Sequence, residues 1–111
     1  MSDDSPLLDT LAMMTAASLE TCDLEPRELM LVRIAALAAV DAPPASYLAN
    51  AGTASDVGIT LEDVQGVLIA VAPVIGSPRT VAAAGNIARA LGFAIAVIEA
   101  ELEAELDAEN G

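Results

Sequence analysis

The order of apolar and polar positions divides the chain into five helical segments separated by short breaks rich in Pro and Gly. Ser5-Pro6 places a capping residue before a proline suited to the first helical position, and an apolar-rich run from Leu7 to about Glu20 predicts a first helix. Asp23-Leu24-Glu25-Pro26 opens a second, expected to run to Asp41. Ala42-Pro43-Pro44 interrupts the pattern, a third helix follows from about Ala45 to Val57, and Gly58 ends it. Thr60 and Asp63 approximate a capping box at the head of a fourth helix from Leu61 to about Ile75, with Pro73 expected to kink its last turn. Gly76-Ser77-Pro78 is a stop and restart, with Ser77 the expected cap and Pro78 the first residue of the fifth helix. The pattern predicts an all-α bundle of five to six helices with a long C-terminal helix, and no repeat is evident at periods of 20 to 50 residues.

Two segments carry more than secondary structure. From Leu29 to Val40 only Arg33 is polar, so the second helix should be buried on all sides at the centre of the fold. Arg33 there is either structural, in an ion pair or snorkelling to the surface, or functional, holding an anion in a pocket. In the fifth helix Val81, Ala84, Ala88, Leu91, Ile95, Ile98 and Leu102 alternate steps of three and four, the seam of coiled-coil packing. Gly85, Ile87, Gly92 and Ala94 flank the seam where an exposed coil would carry charges, so this helix should pack on more than one side. Ala84, Ala88, Gly92 and Ala96 form a row of small residues that would let a neighbouring backbone come close for a few turns.

Beyond Ile98 acids alternate with Ala and Leu through Glu109. Period two suggests a strand, but Ala, Leu and Glu are strong helix formers and poor strand formers. Acids stacked at i, i+4 near the negative end of the helix dipole are mildly destabilising, which predicts fraying beyond about Leu102. A solvated, solubilising face is the expected role of these acids; no metal site is expected in them.

Composition turns this helical protein into one in need of company. Apolar residues make up 55% of 111 residues, with a mean hydropathy of +0.58, and a chain this short leaves roughly a third of its unfolded-state surface exposed when folded alone. A membrane is the first alternative. A spanning helix needs roughly 20 apolar residues, however, and the charge-free run from Val64 to Pro78 is shorter and broken by Gly66, Pro73, Gly76 and Pro78. The acidic start Met1-Ser2-Asp3-Asp4 is unlike a signal peptide, so a cytoplasmic location is expected. Self-association is therefore the expected fate of the excess apolar surface.

Charge and missing residue types narrow the chemistry. The formal net charge is −13 and the four basic residues are Arg27, Arg33, Arg79 and Arg89, which disfavours nucleic acid and anionic lipid as partners. Cys22 is the one cysteine, so no intrachain disulfide forms. Without His or Lys there is no Ser-His or Cys-His pair, no imidazole metal ligand, no Schiff base and no phosphate-loop lysine. No cofactor and no metal are expected.

Three stretches carry a resemblance: Glu25-Pro-Arg-Glu-Leu-Met-Leu-Val-Arg-Ile-Ala-Ala-Leu-Ala-Ala39, then Gly58-Ile-Thr-Leu-Glu-Asp-Val64, then Gly76-Ser-Pro78. In that order they resemble the carboxymuconolactone decarboxylase family, which includes the alkylhydroperoxidase D-like proteins. Within a single domain of residues 1–111, the family-like core would be residues 24–91, preceded by an N-terminal helix in residues 1–23 and followed by an acidic tail in residues 99–111. The resemblance implies an all-α fold around a central antiparallel helical hairpin, assembled as trimers or as hexamers of two trimers. The family's Cys-x-x-Cys pair, His and catalytic acid have no counterpart here: Gln65-Gly66 stands near the acid's place, and Val74 where the family has Tyr before Gly-x-Pro.

The expected function is accordingly a homo-oligomeric binding or scaffold protein with an apolar small-molecule pocket, whose polar contacts would be Arg33, Tyr47, Asn50 and Asn86. One alternative is an unconventional enzyme, either a decarboxylase or isomerase using Arg33 with a buried Asp41 or Asp56, or a one-cysteine thiol peroxidase using Cys22. Another is a structural partner that docks its acidic C-terminal helix on a basic protein.

Overall fold

The chain ends its helices with backbone motifs that the residues at each corner explain. The computed structural model describes residues 5–110, and within them not the side chains of Phe93, Ala94, Val97, Ile98 and Asn110; the acidic start and the side chain of the seam position Ile98 thus lie outside the described residues. Five helices follow in order among the described residues: α1 (Pro6–Thr21), α2 (Pro26–Ala39), α3 (Pro44–Asp56), α4 (Leu61–Ile75) and α5 (Ser77–Asn110). Pro stands in the first turn of α1, α2 and α3, where its missing N–H has no intrahelical partner to lose.

α2 stops two residues earlier than expected because Asp41 takes a left-handed conformation, φ 57°. The Asp41 N–H then donates to the Ala38 carbonyl (3.3 Å) and the Ala42 N–H to the Leu37 carbonyl (3.0 Å), a Schellman closure. α3 closes the same way around Gly58 (φ 79°), whose N–H donates to Ser55 (3.1 Å) while Ile59 donates to Ala54 (2.9 Å). At α4 the capping box is complete: Asp63 N–H donates to Thr60 Oγ1 (3.1 Å), and Thr60 N–H to Asp63 Oδ2 (2.9 Å). α4 continues through Pro73 and ends at Gly76, whose φ 90° and ψ 157° lie in a region open essentially to glycine alone. Gly76, rather than Ser77, precedes α5, and its carbonyl accepts from the Thr80 N–H at 3.1 Å.

α2 packs against α3, α4 and α5, and α5 also against α3 and α4. Across the one-residue corner at Gly76, α4 and α5 form an antiparallel helical hairpin. The core is thin. Leu29, Met30, Ile34 and Ala38 are buried on α2, joined by Ala42, Tyr47, Ala83 and Ala90. The expectation that α2 is buried all round is therefore corrected. It buries one stripe at steps of four, while Val32 and Ala36 on its other side face solvent. Within one chain there are too few neighbouring helices to cover every side.

α1 and the second half of α5 extend from this bundle. Among the described residues α1 packs against no other helix, and its Leu and Met side chains are exposed. The acidic segment beyond Leu102 is helical to Asn110, in keeping with the helix propensity of Ala, Leu and Glu. The small-residue row of Ala84, Ala88, Gly92 and Ala96 is exposed as well, so no backbone among the described residues packs over it. The consequence is area. The chain exposes 7701 Å², against roughly 5,700 Å² for a compact chain of its mass, and its radius of gyration is 16.4 Å where about 13 Å is usual. No helix among the described residues is long and apolar enough to cross a membrane.

Candidate binding groove

A groove of about 270 Å³ opens between α2, α3, the start of α4 and the middle of α5. Each helix contributes its apolar face: Ile34 and Leu37 from α2, Val64 from α4, and Ile87, Ala90 and Leu91 from α5. Space exists because α3 presents Ala51 and Ala54, one turn apart, where larger side chains would close the gap. The size suits a small organic molecule, since a cavity of about 150 Å³ already accepts benzene.

Tyr47 is the polar residue most firmly built into this site. Its ring lines the groove and packs in a cluster with Ala42, Ala90, Leu37 and Ile87. Its hydroxyl is buried and has no hydrogen-bond partner among the described residues. Burial, and secondarily the charge of Asp41, push the phenol pKa above its ordinary value. Asn50, one turn before Ala54, also lines the groove; its amide nitrogen donates to the Ser46 carbonyl (2.9 Å), leaving the amide oxygen without a donor among the described residues.

The other two residues expected at a pocket are elsewhere. Arg33 Nη2 donates to Ser18 Oγ at 3.1 Å and so ties α2 to α1. Asn86 Nδ2 donates to the Ala42 carbonyl (3.1 Å) and its oxygen accepts from Arg89 Nη1 (3.1 Å), fastening the α2–α3 corner to α5. Neither side chain lines the groove. Asp41 and Asp56 are exposed, so the buried carboxylate of a decarboxylase-like site is missing at both positions. Cys22 is half-buried at the end of α1, away from the groove. Among the described residues no three His, Cys, Asp or Glu side chains gather as a metal site.

Sequence reasoning missed the strongest polar cluster, which stands at the groove's edge. Arg27 grips Asp63 with two nitrogens, at 2.7 and 3.0 Å, and donates also to the Gly58 carbonyl at 3.2 Å. Those bonds, with the bonds from the Thr60 N–H and hydroxyl, hold the Asp63 carboxyl well below the usual carboxylate range. The cluster joins the N-termini of α2 and α4 and fixes Thr60, a lining residue, at the mouth. Asp63 was readable as a cap; its partner depended on how α2 meets α4.

Apart from the Tyr47 phenol, none of the side chains lining the groove is ionisable. Such a lining suits an uncharged, mostly apolar molecule better than a charged one. No family model, curated protein or solved structure matches the chain.

Proposed function

We propose that the chain is a homo-oligomeric binding protein that holds a small, uncharged, largely apolar molecule in the groove beside Tyr47 and Asn50. In this reading it is a carboxymuconolactone decarboxylase-like protein without that family's catalytic set, and works in the cytoplasm. The observation that carries the binding reading is the groove itself: about 270 Å³ bounded by four helices, with apolar walls and no charged side chain on its lining. Self-association is supported by the surface of roughly 2,000 Å² in excess of a compact monomer and by the exposed apolar side chains of α1 and α5.

Titration with an uncharged fluorescent probe, N-phenyl-1-naphthylamine, tests the groove against a variant in which it is filled. Ala54→Phe places a ring in the cavity without touching α1 or the far half of α5. Saturable binding at one site per chain is expected for the wild type, with affinity at least tenfold weaker in Ala54→Phe of unchanged molar mass. Equal binding by both proteins would assign the probe to other exposed apolar surface and end the groove reading.

A further inference from the structure

The seam along α5 is a helix-packing surface left open. Val81, Leu91, Ile95 and Leu102 are 71%, 40%, 48% and 53% exposed, and Ala84 and Ala88 between them are exposed too. α5 packs into its own bundle through a different face, where Ala83 and Ala90 are buried and Ile87 is half-buried. The helix thus has two apolar faces, of which the bundle uses one. From Leu91 to Glu109 every described side chain is exposed. Its large apolar side chains Ile95, Leu102 and Leu106 thus face solvent, unused by the rest of the described chain.

Side-chain size and charge both say which partner. Along the seam the small residues Ala84 and Ala88 come first and the large residues Leu91 and Ile95 second. A parallel pair of α5 helices would set Ala against Ala and then Leu and Ile against their own kind, layers that want different spacings between the helices. An antiparallel pair sets first against fourth heptad positions, bringing Ala88 opposite Leu91 and Ala84 opposite Ile95, small against large at both layers. Charge follows the same polarity. Arg79 and Arg89 lie in the first part of α5, and Glu99, Glu101, Glu103, Glu105, Asp107 and Glu109 in the last. Parallel pairing would lay one acidic tail beside the other, whereas in the antiparallel register Arg79 of one copy comes level with Glu99 and Glu101 of the next. A standard interface takes about 800 Å² from each partner, and the chain exposes roughly 2,000 Å² more than a compact one, shared between α1 and α5.

We propose that two copies of the chain pair antiparallel along the α5 seam from Val81 to Leu102, each acidic tail lying beside the Arg79 end of the other. This rests on the oligomer reading above and specifies its contact. The pairing is two-fold, so it builds assemblies with an even number of chains.

Light scattering on the wild type and on Ala88→Glu/Ile95→Glu tests the surface; neither residue lines the groove and both are exposed, so the bundle should keep its helical circular dichroism. The wild type should have an even multiple of 11.2 kDa, and the double variant a smaller mass. A wild type of one chain would refute the oligomer reading itself; an oligomer unchanged by the double variant, or a bare trimer, would refute the seam alone. Orientation is read by oxidative cross-linking in a Cys22→Ser background. Ala84→Cys mixed with Ile95→Cys should form a disulfide between chains while neither does alone. Self-cross-linking by each variant separately would show parallel pairing and overturn the proposal.

Discussion

Tyr47→Phe is an unusual prediction because deleting a hydrogen-bonding group is expected to stabilise the protein. The ring is held by Ala42, Ala90, Leu37 and Ile87, contacts that phenylalanine keeps. The hydroxyl is buried without a partner among the described residues, and an unsatisfied buried polar group costs about 1–3 kcal/mol relative to one that stays hydrated. Removing it should raise unfolding stability by that amount. In urea, where small domains lose about 1–3 kcal/mol per molar, the midpoint should rise by roughly 1 M. The assay is circular dichroism at 222 nm, at one fixed protein concentration because oligomer formation adds to apparent stability. A loss of about 1 kcal/mol instead would show that the hydroxyl is bonded in solution, to water or to another copy, and would refute the reasoning. Alkaline titration supplies a second check, since Tyr47 is the one tyrosine. Its phenol is pushed upward by burial and then by Asp41, so the native protein favours the protonated form. That stabilisation is fully present below the ordinary tyrosine pKa of about 10 and is lost as pH rises through the folded value. The Tyr47→Phe variant should lack this component of alkaline loss.

Three further expectations follow from the core and the corners. Met30 is fully buried, so Met30→Ala should cost about 2–5 kcal/mol in urea unfolding; a change under 1 kcal/mol would mean that the α2 stripe is not the core. Asp41 holds a left-handed backbone at the Schellman corner, where Asp41→Gly should add about 0.5–1 kcal/mol, seen as a rise of a few degrees in Tm, whereas a lower Tm would mean the carboxylate does more than tolerate its conformation. Asp63 is depressed chiefly by Arg27, so the contribution of this pair is present above the ordinary Asp pKa of about 4 and is lost as pH falls through the lower folded value. Arg27→Met should thus lower the urea midpoint at pH 6 and differ less from the wild type near pH 2, since the shrinking net charge acts on both proteins alike; a gap that stays constant with pH would remove the ion pair from the account.

How much was legible depended on whether the deciding physics was local. α4 begins and ends where its residues predicted, because Thr60, Asp63 and Gly76 act within a turn of their own positions. The pocket residues were only half legible, for a reason of one residue. Successive positions on a helix point about 100° apart, so Ile34 lines the groove while its neighbour Arg33 reaches α1, and Ile87 lines it while Asn86 turns to Ala42. Which side of a helix faces a cavity is settled by its neighbours, and those are not written in the helix itself. The same limit explains α2, where an apolar sequence on all sides marked what seeks burial without saying how much of it one chain supplies.

Gly76 joins α4 to α5 by a single residue in a conformation that other side chains scarcely tolerate. From that corner α5 reaches roughly 51 Å at 1.5 Å per residue, which makes the corner the fulcrum of a long lever. A backbone change there that swung α5 by about 5° would carry its far end through roughly 4 Å, most of the 5.4 Å pitch of a helical turn. One residue without a side chain therefore shares with the helices packed on α5 the setting of where its acidic end comes to rest.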